Sequence, residues 1–429
     1  KNSSVDLVVL DSTAPDQVAA ALIHLEKTAV VVSSKSGSTV ETDSQKRAFD
    51  TAFKASGIDP TERIVIVTDP GSPLDVASRA AGYKVLNADP NVGGRYSALT
   101  AFGLVPSGLA GVDVAELLVS AVSASDLLGS DSAANPGLWL GALLAGSANG
   151  AGFKDKFLIQ SDGLSGFGDW VEQLVAESTG KEDKGILPVV VPSSAPEIAN
   201  LPADTLLIRF GSEVSGNTDA AFHGGLGELF LLWEYATVIA GYLQGINPFD
   251  QPNVESAKIA ARALLDSPVS SAEVDFVDGG ISVKSYGFEL SGSTLDSAVE
   301  NLLSLVNDAS YISIHAYLNR MAYPQLESLR DVLAKRTGRP VTFGWGPRFL
   351  HSTGQYHKGG PKQGVFLQLT SEFATDLEIE GRPFTFGTLI QAQAAGDANV
   401  LKDNGLPVLT LKVSNPLADL ETLKKAIAS

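Results

Sequence analysis

Three short apolar runs, Ala29–Val32, Arg63–Val67 and Tyr83–Leu86, are separated by helical stretches from about Thr39 and over Leu74–Ala81. This alternation constrains the chain more than any other feature. Strands joined by helices must run parallel, because a parallel neighbour needs a long crossover. Runs apolar at every position are those of strands covered on both faces. An earlier run, Val5–Leu10, reads as a further strand, and Pro15–Lys27 as a helix striped by Val18, Leu22, Ile23 and Leu25, with His24 inside it. The predicted class is therefore α/β, with parallel sheets and helices on both faces.

The pattern continues downstream. Gly93–Leu128 reads mostly helical. Strands are predicted at Lys156–Ile159, Leu187–Val191 and Leu206–Phe210, and helices at Gly168–Ser178, Leu226–Gln244 and Val254–Leu265. From Ser270 the texture changes. Val274–Leu290 alternates like strands with turns, and Tyr311–Ile314, Tyr323–Arg336, Val341–Phe343, Val408–Val413 and Leu417–Ala428 return to α/β style. A chain of 429 residues exceeds one ordinary core. The boundaries fall near residues 150 and 270, giving a first domain over 1–150 and a second over 151–429 with a sub-boundary near 270.

Several function classes are disfavoured. A formal charge of −18 argues against a nucleic-acid partner, which needs basic stripes, but not against a small anionic ligand held by local donors. Without cysteine there is no disulfide, thiolate nucleophile or cysteine-based zinc site, which fits a cytoplasmic protein. The apolar segment Leu229–Leu243 is short for a bilayer and is broken by Glu234, so no membrane partner is expected. Met321 is the only methionine, so Lys1 is not a translation start, and upstream sequence is expected.

Five stretches could carry chemistry. Ser34, Lys35, Ser36, Ser38 and Thr39 lie where a strand hands over to a helix, the side of a parallel sheet where ligands bind. They read either as an anion cradle or as a serine-rich turn in which Ser38 or Thr39 caps the helix. In Gly93-Gly94-Arg95 the glycines permit close backbone approach and the arginine can neutralise charge; the plainer reading is an N-cap turn with a surface arginine. Gln173 and Glu177 share a helix face turned away from the Val171, Leu174, Val175 stripe. A carboxylate late in a helix opposes the dipole, a mild pointer to function against the usual solvated charge. Asn247-Pro-Phe-Asp250-Gln251 through Lys258 reads as a linker with Asp250 or Gln251 capping the next helix, and Lys258 on its surface. His351 and His357 fall in a polar, glycine-rich loop; their spacing of six does not suit two metal ligands on one helix face, whereas a loop histidine suits proton shuttling. His24 and His315 look ordinary, and His223, before Gly-Gly in a loop, is a weak site candidate.

Taken together, Ser34–Thr42, Gly93–Ser97, Gln173–Lys181, Asn247–Lys258 and Leu350–Tyr356 resemble the motifs of the glucose-6-phosphate isomerase family. The resemblance implies two sugar-isomerase-type parallel-sheet domains, here with a C-terminal α/β extension. It implies an aldose–ketose isomerase acting through a cis-enediol, with Glu177 as base, Arg95 stabilising the enediolate, His351 opening the sugar ring with Lys258 assisting, and His357 in reserve. Ser34, Lys35, Ser36, Thr39 and Gly94 would hold the sugar phosphate, and Gln173 would touch the sugar. It implies no cofactor, no metal, and a homodimer. Activity on mannose 6-phosphate, a non-catalytic sugar-phosphate regulator and a degenerate isomerase are the rivals. Two departures stand out. The family's upstream Gly-Gly-Ser phosphate segment has no match before Ser34. The histidine segment also lies 93 residues after Lys258 instead of before it, an order like that of transaldolase–isomerase fusions, which would place a fused transaldolase upstream.

Overall fold

The computed structural model describes residues 5–146, 154–160, 163–210, 218–253, 259–260, 262–265 and 274–429. The chain forms two compact units: one of residues 1–130, 224–234 and 373–387, the other of residues 131–223, 235–372 and 388–429.

The first unit opens with α1 (Pro15–Ala21), β1 (Val30–Ser33), α2 (Val40–Ala55), β2 (Ile64–Thr68), α3 (Pro73–Ala80) and β3 (Lys84–Asn87), followed by α4 (Ala101–Leu109) and α5 (Val114–Leu128). The three strands form a parallel sheet in the order β1-β2-β3, with Val31 opposite Val65 and Val65 opposite Lys84. Phe49 and Phe53 of α2 pack against Val32, Ile64 and Ile66 to make its core. Within this unit Arg47 and Arg382 both reach Asp43, and Glu380 accepts from Thr51, so the 373–387 segment is pinned to α2.

Two expectations for this region are corrected. Among the described residues Val5–Leu10 joins no sheet; Leu7 and Val8 stay 65% and 71% exposed, and only Leu10 packs against the core of this unit. The predicted helix over Pro15–Lys27 ends at Ala21, and His24 adopts a left-handed conformation (φ 58°) before a 3-10 turn at Leu25–Lys27. Only Leu25 of that second stretch is buried, too little apolar surface to hold a longer helix.

The second unit holds two sheets. α6 (Pro136–Leu144) leads to β4 (Lys156–Gln160), α7 (Phe167–Thr179), β5 (Leu187–Val190), α8 (Pro196–Ala199), β6 (Thr205–Phe210) and β7 (Ala220–Phe222). The resulting sheet is parallel throughout, in the order β5-β4-β6-β7. α9 (Leu226–Gln244), whose residues 226–234 belong to the first unit, follows as predicted; it is long and apolar enough to cross a membrane by composition, but Trp233, Ala236, Thr237 and Ala240 are fully buried, as in a core helix.

Next come β8 (Phe276–Asp278), β9 (Ile281–Tyr286), α10 (Leu295–Leu303), β10 (Tyr311–Tyr317), α11 (Ser328–Thr337), β11 (Val341–Trp345), α12 (Thr353–Gly359), β12 (Gly364–Ser371), α13 (Phe386–Asp403), β13 (Val408–Val413) and α14 (Pro416–Ala428). Their sheet runs β11-β10-β12-β13-β9-β8; the first four strands are parallel, and the β8–β9 hairpin adds an antiparallel edge. The two sheets of this unit share one core, where Leu158, Leu187 and Val189 meet Tyr311, Tyr356, Phe366 and Val408. Buried ion pairs add to that seam: Arg330 with Glu197, and Arg339 with Asp204, whose carboxylate also takes Lys156. Such pairs fix register more than they add stability, because each charge gave up its hydration.

Candidate functional site

In the first unit, three loops at the carboxyl ends of parallel strands are tied together. Lys35, after β1, pairs with Asp69 after β2 (2.8 Å) and donates to the carbonyl of Pro90 after β3 (2.8 Å). The 34–39 loop is tight: Gly37 has φ 69°, its amide donates to the buried Ser34 hydroxyl, and Ser36 and Ser38 hydroxyls lie 2.8 Å apart. A side chain at Gly37 would strike Leu74, so only glycine fits. Thr39 occupies the N-cap of α2, yet its side chain makes no capping bond. The capping role open to Thr39 is therefore not the one taken, and the helix presents its first amide groups at the strand end. Gly94 and Arg95 form a 3-10 turn with Tyr96; Arg95 is 5% exposed with its guanidinium 5.5 Å from the Tyr96 ring. The surface-arginine reading is thereby corrected: the guanidinium is packed inward.

In the second unit, α7 turns Val171, Leu174 and Val175 fully inward and leaves Gln173 and Glu177 half-buried on another face, as their spacing predicts. The Gln173 amide nitrogen lies 3.3 Å from a Glu177 carboxylate oxygen and donates to the backbone carbonyl of His351 (2.9 Å). The segments of Glu177 and His351 are therefore neighbours although 174 residues separate them. His351 ends a 3-10 turn, Arg348–His351, and α12 follows at once, which corrects the expected loop around His351 and His357. Glycines at Gly354, Gly359 and Gly360 made this stretch read as loop; Gly359 is there because a side chain would strike Asn253 and the Gly180 carbonyl.

The third motif arrives by a buried lysine. Lys181, 1% exposed, places its ammonium 2.6 Å from the Asn247 carbonyl and 2.6 Å from an Asp250 carboxylate oxygen. The lysine that closes the Gln173–Lys181 stretch is thus an anchor for the Asn247–Asp250 turn; the helix that Asp250 or Gln251 was expected to cap begins outside the described residues. Asn253 continues from it and meets Gln355 of α12. Lys258 lies outside the described residues.

His357 sits deeper than His351, in a buried group that sequence reading missed. Its Nδ1 is 2.8 Å from the Tyr311 hydroxyl and its Nε2 3.4 Å from the Ser313 hydroxyl. Beside it, Asp397 takes the Lys358 ammonium at 2.6 Å and His315 Nδ1 at 3.1 Å, all three being buried. Burial, helped by the neighbouring His315 imidazole and the Lys358 ammonium, pushes the His357 imidazole well below its ordinary range against the opposing pull of Asp397. Burial also lowers His315, despite its bond to Asp397.

Both imidazoles are therefore neutral in the fold and would bind a proton more readily once unfolded. Stability from this source is fully present above about pH 6.5 and is lost as pH falls below it, by up to about 1.4 kcal/mol per pH unit for each histidine. Urea midpoints measured from pH 7 to pH 5 should fall, and His357→Gln should flatten the slope; an unchanged slope would refute the neutral, buried assignment. His24 and His223 are exposed.

No protein-family model matches the chain. It is 29% identical over 311 residues to a probable glucose-6-phosphate isomerase from Haloarcula marismortui, covering 60% of this chain and 71% of that one. It is 29% identical over 305 residues to a glucose-6-phosphate isomerase from Caldanaerobacter subterraneus, covering 58% and 68%. A solved structure of a hypothetical protein from Thermus thermophilus superposes with a TM-score of 0.54 at 25% identity, covering 62% of this chain and 79% of that one. The chain is accordingly an α/β enzyme of the isomerase class. Its sequence is similar to glucose-6-phosphate isomerases, over 60% of this chain for the first of these relatives and 58% for the second.

Proposed function

We propose that the protein interconverts glucose 6-phosphate and fructose 6-phosphate through a cis-enediolate, with Glu177 as the base. The observation that carries this reading is the bond between Gln173 on the Glu177 helix and the carbonyl of His351. It supports bringing the histidine segment to the base even though that segment lies far beyond its expected place in the chain. In the forward direction Glu177 removes the C2 proton of the open-chain aldose, and the electron pair moves to form the enediolate. The carboxylic acid then returns that proton to C1, while the C2 hydroxyl gives up its proton and the C1 oxygen gains one, leaving a ketone at C2 and a hydroxyl at C1. No redox step is required, because a proton α to a carbonyl becomes acidic enough once the enediolate is stabilised.

Arg95 takes the enediolate charge in this reading, and Ser34, Ser36, Thr39 and Gly94 the phosphate. Lys35 contributes through its ties to Asp69 and Pro90. His351 assists ring opening, with Lys258 beside it; Gln173 orients the Glu177 carboxylate. Residues 1–150 are assigned to the first sugar isomerase domain and 151–429 to the second.

The direct test supplies fructose 6-phosphate and couples glucose 6-phosphate formation to a dehydrogenase readout. Turnover supports the proposal, whereas sugar-phosphate binding without turnover would favour a regulator. Mannose 6-phosphate supplied in parallel decides the breadth of specificity. On ring-closed substrate, His351→Ala should slow turnover more than His357→Ala does in protein that remains folded, because His357 is enclosed by Tyr311 and Ser313. A larger effect at His357 would transfer the ring-opening role to it.

A further inference from the structure

Gln355 has no role in the chemistry above, yet its side chain joins three motifs. It is fully buried on α12. Its amide nitrogen donates to the carbonyl of Gly180 (2.7 Å) and to the side-chain oxygen of Asn253 (2.8 Å), while its amide oxygen accepts from the backbone N–H of Asn253 (2.9 Å). The three bonds fix which end of the amide is which, since a flipped group would set its oxygen against two acceptors. Gly180 closes the helix that carries Glu177. Asn253 opens the segment that leads to Lys258, and Gln355 itself lies four residues after His351.

The backbones around this amide meet at glycine distance. A Cβ on Gly180 would come within 2.3 Å of the Tyr356 Cα, and one on Gly359 within 2.6 Å of the Gly180 carbonyl oxygen. Asp183 also donates its backbone N–H to the Gly359 carbonyl (2.9 Å). There is no slack at this junction for the helix end to settle elsewhere without breaking the Gln355 bonds.

We infer that Gln355 is a positioning residue for the isomerisation: its amide holds the end of the Glu177 helix against the histidine helix and the Asn253 segment, and so sets where the Glu177 carboxylate stands over the substrate. The role rests on the isomerase reading given above. Gln355 touches neither substrate nor reacting atoms; its effect is exerted through the helix end. A base displaced by about 1 Å loses on the order of a hundredfold in rate. It also shields its captured proton less well, so that proton exchanges with solvent more often before it reaches the neighbouring carbon.

The experiment compares the parent protein with Gln355→Met in D2O, supplying fructose 6-phosphate and following both turnover and deuterium incorporated per turnover. The expected result is a kcat lower by about thirty- to a hundredfold, KM within about threefold, and at least about twice the deuterium per turnover. A substitution that merely loosened the fold would lower the amount of active enzyme without changing deuterium per turnover. An active parent beside a Gln355→Met protein with kcat within about threefold, or with unchanged deuterium per turnover, overturns the positioning role alone. An inactive parent overturns the isomerase reading and this role with it. Should Gln355→Met not fold, Asn253→Ala decides by the same two readouts, because it removes one bond and leaves the Gly180 bond in place. A kcat loss with raised exchange supports the role, and parent-like values overturn it.

Discussion

Glu177→Gln is expected to lower kcat by about a hundred- to ten-thousandfold while KM stays within a few-fold. The substitution keeps the shape and the half-buried position but removes the basic carboxylate that would accept the C2 proton in the proposed mechanism. Gln173 lies 3.3 Å from the carboxylate and can bond a glutamine oxygen as readily, so the local structure has little reason to move. Loss confined to kcat is the mark of an interaction made only in the transition state. If kcat survives within about tenfold, a barrier change of roughly 1.4 kcal/mol, Glu177 is not the base.

The second large effect concerns stability. Lys358→Met should destabilise the protein by about 3–5 kcal/mol, read as a fall in the urea midpoint. Lys358 and Asp397 are 3% and 0% exposed and 2.6 Å apart. Burial alone would raise the Asp397 carboxyl, but the Lys358 charge and the His315 bond outweigh it and hold that carboxyl well below the usual carboxylate range. Without the ammonium, a buried carboxylate is left with a neutral imidazole as its described side-chain partner. The double change Lys358→Met with Asp397→Leu should recover much of the loss, since it removes both desolvated charges together. A loss below about 1 kcal/mol for the single change would show that the pair does not hold α12 in place.

The parts of the fold that could be read in the sequence are those whose pattern came from large apolar side chains. β13 (Val408–Val413) and α9 (Leu226–Gln244) were legible to the residue, and α7 within a residue at each end. β12 and α13 were not legible, although both are central. α13 buries Phe386, Leu389, Ile390 and Leu401, but its middle turns bury only Ala392, Ala394 and Ala398 with Gln393 and Asp397, so its stripe of large apolar residues is interrupted. β12 carries a buried Gln368 in mid-strand, which donates to the Ala394 carbonyl. Val5–Leu10 failed in the other direction: its residues are strand formers, but tertiary context gave them no neighbour in the sheet.

The candidate site divides along the same line. Local geometry was legible: the shared face of Gln173 and Glu177, the glycine turn at Gly37, and the loop position at strand ends. What no local pattern carries is which distant segments meet. Lys181 closes the Gln173–Lys181 stretch, and nothing in its local sequence marks it as the buried anchor for Asn247 and Asp250 that it is. The group of His315, His357, Lys358 and Asp397 is dispersed over 83 residues of sequence and becomes visible only when β10, α12 and α13 are brought together.

The Gln355–Gly180 bond also has a temporal meaning. Its two ends are 175 residues apart, so during synthesis the helix bearing Glu177 is made well before the residue that fastens it. At roughly 5–20 residues per second, the interval is about 9 to 35 s. Throughout it, the face of α7 that later meets Tyr356 and Gly359 stays open to water or to whatever else is near. Glu177 is among the earlier parts of the second unit to emerge from the ribosome, and the fastening of its helix is dated by one of the later ones.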